Sequence, residues 1–217
     1  MNCLCIDCSG GTFVTVITGE GRDYMEKSIN LPTAKQQSSI LLDCIEKQLK
    51  KAKITLQDLD CIAVCVGPGS FTGIRVAIST AKGLAVGLGC KVITYDSFSQ
   101  VEANIEDKNF GILLDGFGDN YYYYFKKFGR EFKGCATLDK IAPLATNTNV
   151  YCPCKNVLKE GQFREDITLF KVKQVIENPA SVVAKKYAGD EFVNTNQIAP
   201  QYLRASQAEI EREKKLK

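Results

Sequence analysis

Two aspartates close apolar runs immediately before turns built of small and polar residues. Asp7 precedes Ser9-Gly10-Gly11-Thr12, and Asp115 precedes Gly116-Phe117-Gly118-Asp119-Asn120. Carboxylates at the carboxyl ends of two related strands can face a common cleft and hold a divalent cation with its phosphate, with Ser9 and Thr12 as further oxygen donors. The competing reading is that each aspartate caps its own loop. A second candidate is Gly67-Pro68-Gly69-Ser70-Phe71-Thr72-Gly73-Ile74-Arg75, between an apolar run and a helix, where backbone amides and the helix dipole can hold an anion. Its spacing is neither the dinucleotide-binding nor the P-loop pattern. A tight strand-to-helix turn with glycines at positive φ therefore competes with the anion site.

The chain contains no histidine. The usual general base, metal ligand and pH switch are all missing, so Ser-His-Asp, Cys-His and histidine-zinc chemistry are excluded. Ten cysteines remain. Cys3, Cys5, Cys8, Cys152 and Cys154 invite a metal or redox reading. However, Cys3 and Cys5 lie two apart in an apolar run, like Ala63 and Cys65, where cysteine behaves as a small hydrophobe. With 28 basic and 25 acidic side chains the net charge is only +3, so any nucleic-acid contact is local or shared with a partner. The first residues lack a basic segment leading into an apolar core, and no apolar run reaches about 18 residues. A soluble, cytoplasmic protein with reduced thiols and no membrane contact is expected.

The elements that must position these residues follow a repeating order. Residues 3–6 and 13–17 read as a hairpin, with a third strand near 24–29. Leu41, Leu42, Ile45 and Leu49 recur at helical spacing over 34–52, with lysines gathered at the C-terminal end. Residues 61–66 form an unbroken apolar run suited to a central strand. A helix over 71–88, a strand over 91–95 and a short helix over 97–105 capped by Asp96 or Ser97 follow. The pattern restarts with strands at 110–114 and 121–128, then weaker signals: strands at 150–152 and 167–172 and a helix from 180. Within Tyr121–Tyr124 one pair of rings is expected in the core and the other half exposed. The domains expected are 1–104, 105–205 and a charged tail at 206–217, in an α/β fold with mixed sheets.

The helix after the glycine loop carries Gly73, Ala77, Ala81 and Ala85 at intervals of four, with Gly83 and Gly87 as a further small pair. Glycine inside a helix costs about 0.5–1 kcal/mol relative to alanine, so something must offset it. Close packing on helix 34–52, or on the matching helices of a second subunit, would do so.

The stretch from Gly67 to Gly87, GPGSFTGIRVAISTAKGLAVG, closely resembles the central motif of the TsaB (YeaZ) family. The opening LCIDCSGGTFVTVI is similar to that family's first strand-loop-strand, with Cys8 in place of the common threonine. LLDGFGDNYYYYF resembles its IDARRGEVYxAxF segment, and Pro200-Gln201-Tyr202-Leu203-Arg204 its closing element. The resemblance implies a two-lobed actin/Hsp70/sugar-kinase-like (ASKHA) fold, each lobe a mixed sheet flanked by helices and the second lobe reduced. It also implies a non-catalytic subunit with no metal ligand and no tightly bound cofactor. Such a subunit pairs with a TsaD-type catalytic partner, which holds a metal and transfers threonylcarbamoyl to N6 of adenosine 37 of tRNA. A TsaE-type ATPase using ATP and Mg joins the complex, tRNA is met through the complex, and a homodimer forms when the partner is absent.

The partner or self-dimer interface implied is helical, with Leu41, Ile45, Leu49, Gly73, Ala77, Thr80, Ala81 and Leu84 as its residues. Gly67, Gly69, Ser70, Thr72, Gly73 and Arg75 form a structural glycine loop. Asp7, Ser9, Thr12 and Asp115 mark a vestigial nucleotide cleft. The alternative function is an ATPase or phosphotransferase of the same fold. The chain departs from the family at 32–36, where many members carry a histidine, and at Gly116–Asn120, where A-R-R-G-E is usual.

Overall fold

The apolar runs pair into two five-stranded sheets in a computed structural model of the chain, which describes residues 1–19, 25–31, 37–153, 171–175 and 178–205. The first sheet contains β1 (Asn2–Asp7), β2 (Thr12–Thr18), β3 (Met25–Leu31), β4 (Cys61–Cys65) and β5 (Lys91–Tyr95), in the order β3-β2-β1-β4-β5. The second contains β6 (Phe110–Asp115), β7 (Asn120–Lys127), β8 (Arg130–Thr137), β9 (Asn149–Pro153) and β10 (Lys171–Val175), in the order β10-β9-β6-β7-β8. Each sheet is built alike. Its first strand pairs antiparallel with the second and parallel with the fourth, and the outer strands continue those directions. The two halves are therefore one topology used twice.

The chain divides into two compact units, one of residues 1–103 with 178–201 and the other of 104–177 with 202–217. In the first, α1 (Gln37–Ala52) and α2 (Phe71–Leu88) cover one sheet face and α5 (Ala180–Ala188) the other. The period of two along the strands sorts the side chains. Leu4, Ile6, Val14, Val16, Ile62 and Val64 meet α1 and α2, whereas Cys3, Cys5, Cys61, Ala63, Cys65 and Ile93 pack with Val183 of α5. Most of the buried cysteines thus share one face as small apolar side chains. The nine described cysteines are free thiols, and burial pushes those of Cys8 and Cys152 up to about 12. Cys154 lies outside the described residues.

Residues 178–201 pack in the first unit, not in the second lobe where the order of elements had put them. Their anchors are Val183, buried in the core, and a bridge from Val193 to Val92 that covers the outer edge of β5.

The second unit also has five strands, and among its described residues the helix between β8 and β9, α4 (Leu138–Ala145), has eight residues against sixteen in α1. Its core joins Leu113, Tyr121, Phe125, Ile141, Val150 and Cys152. Tyr121, Tyr122 and Tyr124 are all buried, so both faces of β7 are covered, not one. Gly111 stands opposite Phe125 in the ladder, and a Cβ there would run into the ring. Lys127 Nζ donates to the carbonyls of Leu144 and Thr146 at 2.7 and 3.0 Å, closing the end of α4 where the dipole favours a cation.

β8 and α4 had no counterpart in the sequence reading. The short helix α3 (Ser99–Glu102) is briefer than the expected 97–105, but Asp96 caps it as foreseen, its Oδ1 accepting from the amides of Phe98 and Ser99 at 2.9 Å. The tail 206–217 and the turn 32–36 lie outside the described residues.

Candidate functional site

Asp7 ends β1, buried. The amide of Ser9 donates to its Oδ1 at 2.7 Å, and Gln100 Nε2 donates to its Oδ2 at 2.9 Å. Asp115 ends β6 in the second unit, exposed, and its Oδ1 accepts from the Phe117 amide at 3.0 Å. Both aspartates therefore make the same side-chain turn to the residue two positions on, as equivalent positions of a repeated topology would. The capping reading of each accounts for its contacts. Around Asp7 the neighbouring groups stay neutral. Burial, then the Asp7 carboxylate, raises the Cys65 thiol and the Tyr95 phenol well above their ordinary values, and the same two causes act on Cys8. None of these is an available nucleophile. Thr12 is fully buried at the start of β2, beside the Cys8 thiol.

The glycine loop fastens to the β1–β2 turn. The Ser70 amide donates to the Ser9 carbonyl at 2.6 Å, and a Cβ on Gly69 would stand 2.5 Å from that same oxygen. Gly67, at φ +101°, passes so close that a Cβ there would stand 2.7 Å from Ile74 Cδ1 and 3.1 Å from the Gln201 carbonyl. Ser70 caps α2, its Oγ accepting from the Gly73 amide at 3.2 Å. The amides of Ser70 and Gly73 thus go to the chain's own oxygens, which favours the strand-to-helix turn over the anion cradle. Thr72 is exposed, and the Arg75 guanidinium lies 3.9 Å above the Phe71 ring.

Three fastening residues escaped sequence reasoning. Ser97 Oγ donates to the Pro68 carbonyl at 2.8 Å, Gln100 holds Asp7, and the Gln201 amide donates to the Val66 carbonyl at 2.7 Å. Only Gln201 carried a signal, within the closing Pro-x-Tyr-Leu-Arg element. Arg204 of that element belongs to the second unit and donates to the carbonyls of Gly116 and Phe117 at 2.7 and 3.2 Å.

The helical interface candidates divide by burial. Leu41, Ile45, Leu49, Gly73, Ala77 and Ala81 are buried in the unit's own core against the sheet. Leu84 packs on that core while partly exposed, and Thr80 is partly exposed. The stripe Gly73, Ala77, Ala81 and Ala85 therefore lets α2 lie close on its own strands. The outward face of α2 is the next one round, with Thr72, Arg75, Ser79, Gly83, Val86 and Gly87. Val86 is 72% exposed, and on α1 Leu42 is 59% exposed. No atom of the described structure lies within 4 Å of a Cβ built on Gly83 or Gly87.

Residues 31–146, just over half of the chain, match the family model for TsaD, tRNA N6-adenosine threonylcarbamoyltransferase. A tRNA threonylcarbamoyladenosine biosynthesis protein TsaB from Buchnera aphidicola of Schizaphis graminum is 40% identical over 65 residues, 30% of this chain and 31% of that protein. The TsaB of a second Buchnera aphidicola, from Baizongia pistaciae, is 44% identical over 48 residues, 22% of each chain. The chain belongs to the TsaD-type family. The matched stretches span less than a third of those curated relatives. YeaZ from Pseudomonas aeruginosa has the same fold, with TM-score 0.69 and 21% identity over 93% of this chain and 99% of that one. A second Pseudomonas aeruginosa structure, of an uncharacterized protein with similarity to peptidase YeaZ, gives TM-score 0.71 at 22% identity over 94% and 99%. The fold of this chain is accordingly the α/β, ASKHA-type arrangement of two mixed sheets flanked by helices.

Proposed function

We propose that this chain is the non-catalytic subunit that binds and supports a TsaD-type catalytic subunit in forming threonylcarbamoyladenosine at position 37 of tRNA. The observation that carries the proposal is the outer face of α2. Gly83 and Gly87 sit inside a helix with open space above them, where alanine would be about 0.5–1 kcal/mol better at each. Nothing described within the chain needs them small. A helix of another subunit, laid across the face with Leu42 and Val86 at its apolar centre, would. The interface thus turns away from Leu41, Ile45, Leu49, Ala77 and Ala81, which build the core behind it, towards Thr80, Gly83, Val86 and Gly87. In the absence of the partner the same face supports a homodimer.

The aspartates support a non-catalytic role. A phosphotransferase needs an Asp7 carboxylate facing a metal or phosphoryl group, and here Asp7 is buried, held by the Ser9 amide and by Gln100. The chain also lacks histidine, so the metal of the complex falls to the catalytic partner.

The test combines this chain with the TsaD-type subunit, a TsaE-type ATPase, the adenylate-forming synthase and unmodified tRNA, and measures threonylcarbamoyl incorporation. Incorporation is expected to require this chain and to survive Asp7→Asn and Asp115→Asn, since asparagine keeps an acceptor for the turn amide while removing the charge a metal would need. Incorporation indifferent to the chain would sink the proposal. Loss with Asp7→Asn, the complex still forming, would revive the phosphotransferase alternative.

A further inference from the structure

β8 is the outermost strand of its sheet, so along its free edge every second residue presents an N–H and a C=O that pair with nothing among the described residues. Arg130, Glu131, Phe132 and Lys133 are exposed along it, Phe132 by 40%, and Phe128 in the preceding turn by 88%. Neither Glu131 nor Lys133 makes an ion pair among the described residues. An edge of this length with two exposed phenylalanines is a template for another strand.

The sequence of the edge selects which strand. In an antiparallel ladder each residue faces one whose backbone groups point the same way, and that direction alternates along the strand. When a strand pairs with its own copy, facing residue numbers therefore sum to an even number, and the two-fold axis passes through a residue. An axis through Glu131 sets Glu131 against Glu131, and one through Lys133 sets Lys133 against Lys133. Only an axis through Phe132 puts opposite charges face to face. Glu131 then meets the second copy's Lys133 twice over, Phe132 meets Phe132, and Arg130 faces Gly134. Phe132 is also the ladder partner of Phe125, so its ring stands on the core side of the sheet. Two such rings would extend that apolar face across the junction.

We propose that β8 pairs antiparallel with β8 of a second copy of this chain, about a two-fold axis through Phe132. This contact uses the second unit and leaves the α1–α2 face free, so it stands independently of the function proposed above.

Sedimentation equilibrium of the full chain tests it, with Val86→Glu as the parent so that self-association through the helices is removed. The parent is expected to dimerise, more weakly as salt is added. Lys133→Glu turns two attractive cross-strand pairs into two repulsive ones and is expected to raise the dimer dissociation constant about thirtyfold. Adding Glu131→Lys to it exchanges the charges and is expected to restore the parental value. All three side chains are exposed, so the fold should be indifferent to them. A parent that stays monomeric, a dimer indifferent to Lys133→Glu, or a loss that the exchange does not rescue would each overturn the proposal.

Discussion

Replacing both Gly83 and Gly87 by alanine separates the stability of this chain from its association. In the chain alone a Cβ at either position meets nothing, so the change acts through helix propensity, about 0.5–1 kcal/mol at each and about 1–2 kcal/mol together. For a chain of 217 residues each kcal/mol moves the melting temperature by about 2–4 °C, so the double variant is expected to melt about 2–8 °C higher. Against a partner helix the same two methyl groups overpack a close contact, which costs about 1–3 kcal/mol and weakens binding about fivefold or more. The assay is a thermal melt of the isolated chain beside a titration against the TsaD-type subunit. Higher stability with weaker binding is the expected pair. Lower stability would mean that something in the chain presses on these glycines, and higher stability with unchanged binding would remove the outer face of α2 as the contact. Ala77→Leu makes the contrasting control. Ala77 is fully buried against the sheet, so leucine there strains the core itself, by about 1–3 kcal/mol.

Three further outcomes follow from buried polar groups. Gln48 is buried in α1 with neither amide atom hydrogen-bonded among the described residues, so Gln48→Met should stabilise the chain by about 1–3 kcal/mol in a denaturant titration; a loss of stability would show that the amide has a partner. Gly69→Ala puts a methyl group 2.5 Å from the Ser9 carbonyl oxygen, which must move and strain the Ser70 bond; a lower melting point is expected, and an unchanged one would refute that close approach. The folded-state pKa values of Cys8 and Cys152 are raised from 9 to about 12, so the unfolded chain releases these protons first. Their contribution to stability is full below pH 9 and is lost as pH rises through about 12; urea midpoints flat from pH 9 to 12 would contradict this.

Much of the site was legible locally. The turn at Asp7 and the cap at Asp96 each depend on residues within about four positions, and the amino-acid types specify them, whereas the glycine loop was legible only as a turn, because Ser9 and Gln201, against which it packs, lie far along the chain. β8 was not legible, because an exposed edge strand with a glycine has no apolar alternation to show. α4 was not, because eight residues with an internal proline fall short of a recognisable period. Most residues read as an interface are core, for a related reason. Leu41, Ile45 and Leu49 do share a helical face, but spacing shows only that they face the same way. It is silent on whether sheet or partner lies opposite.

By itself the sequence determined the kind of chemistry excluded, by its lack of histidine, and the order of elements that repeats a hairpin and parallel strands in each half. These depend on residue types and on periodicity, both local properties. Only the tertiary structure decided that Asp7 is held by Gln100, 93 residues away, and that α5, far along the chain, closes the cysteine-rich face of the first sheet. The same structure turned the alanine stripe inward and left Gly83, Val86 and Gly87 outward. A side chain's neighbours across a fold are set by which apolar surfaces can be buried together, and that is a property of the whole packed unit.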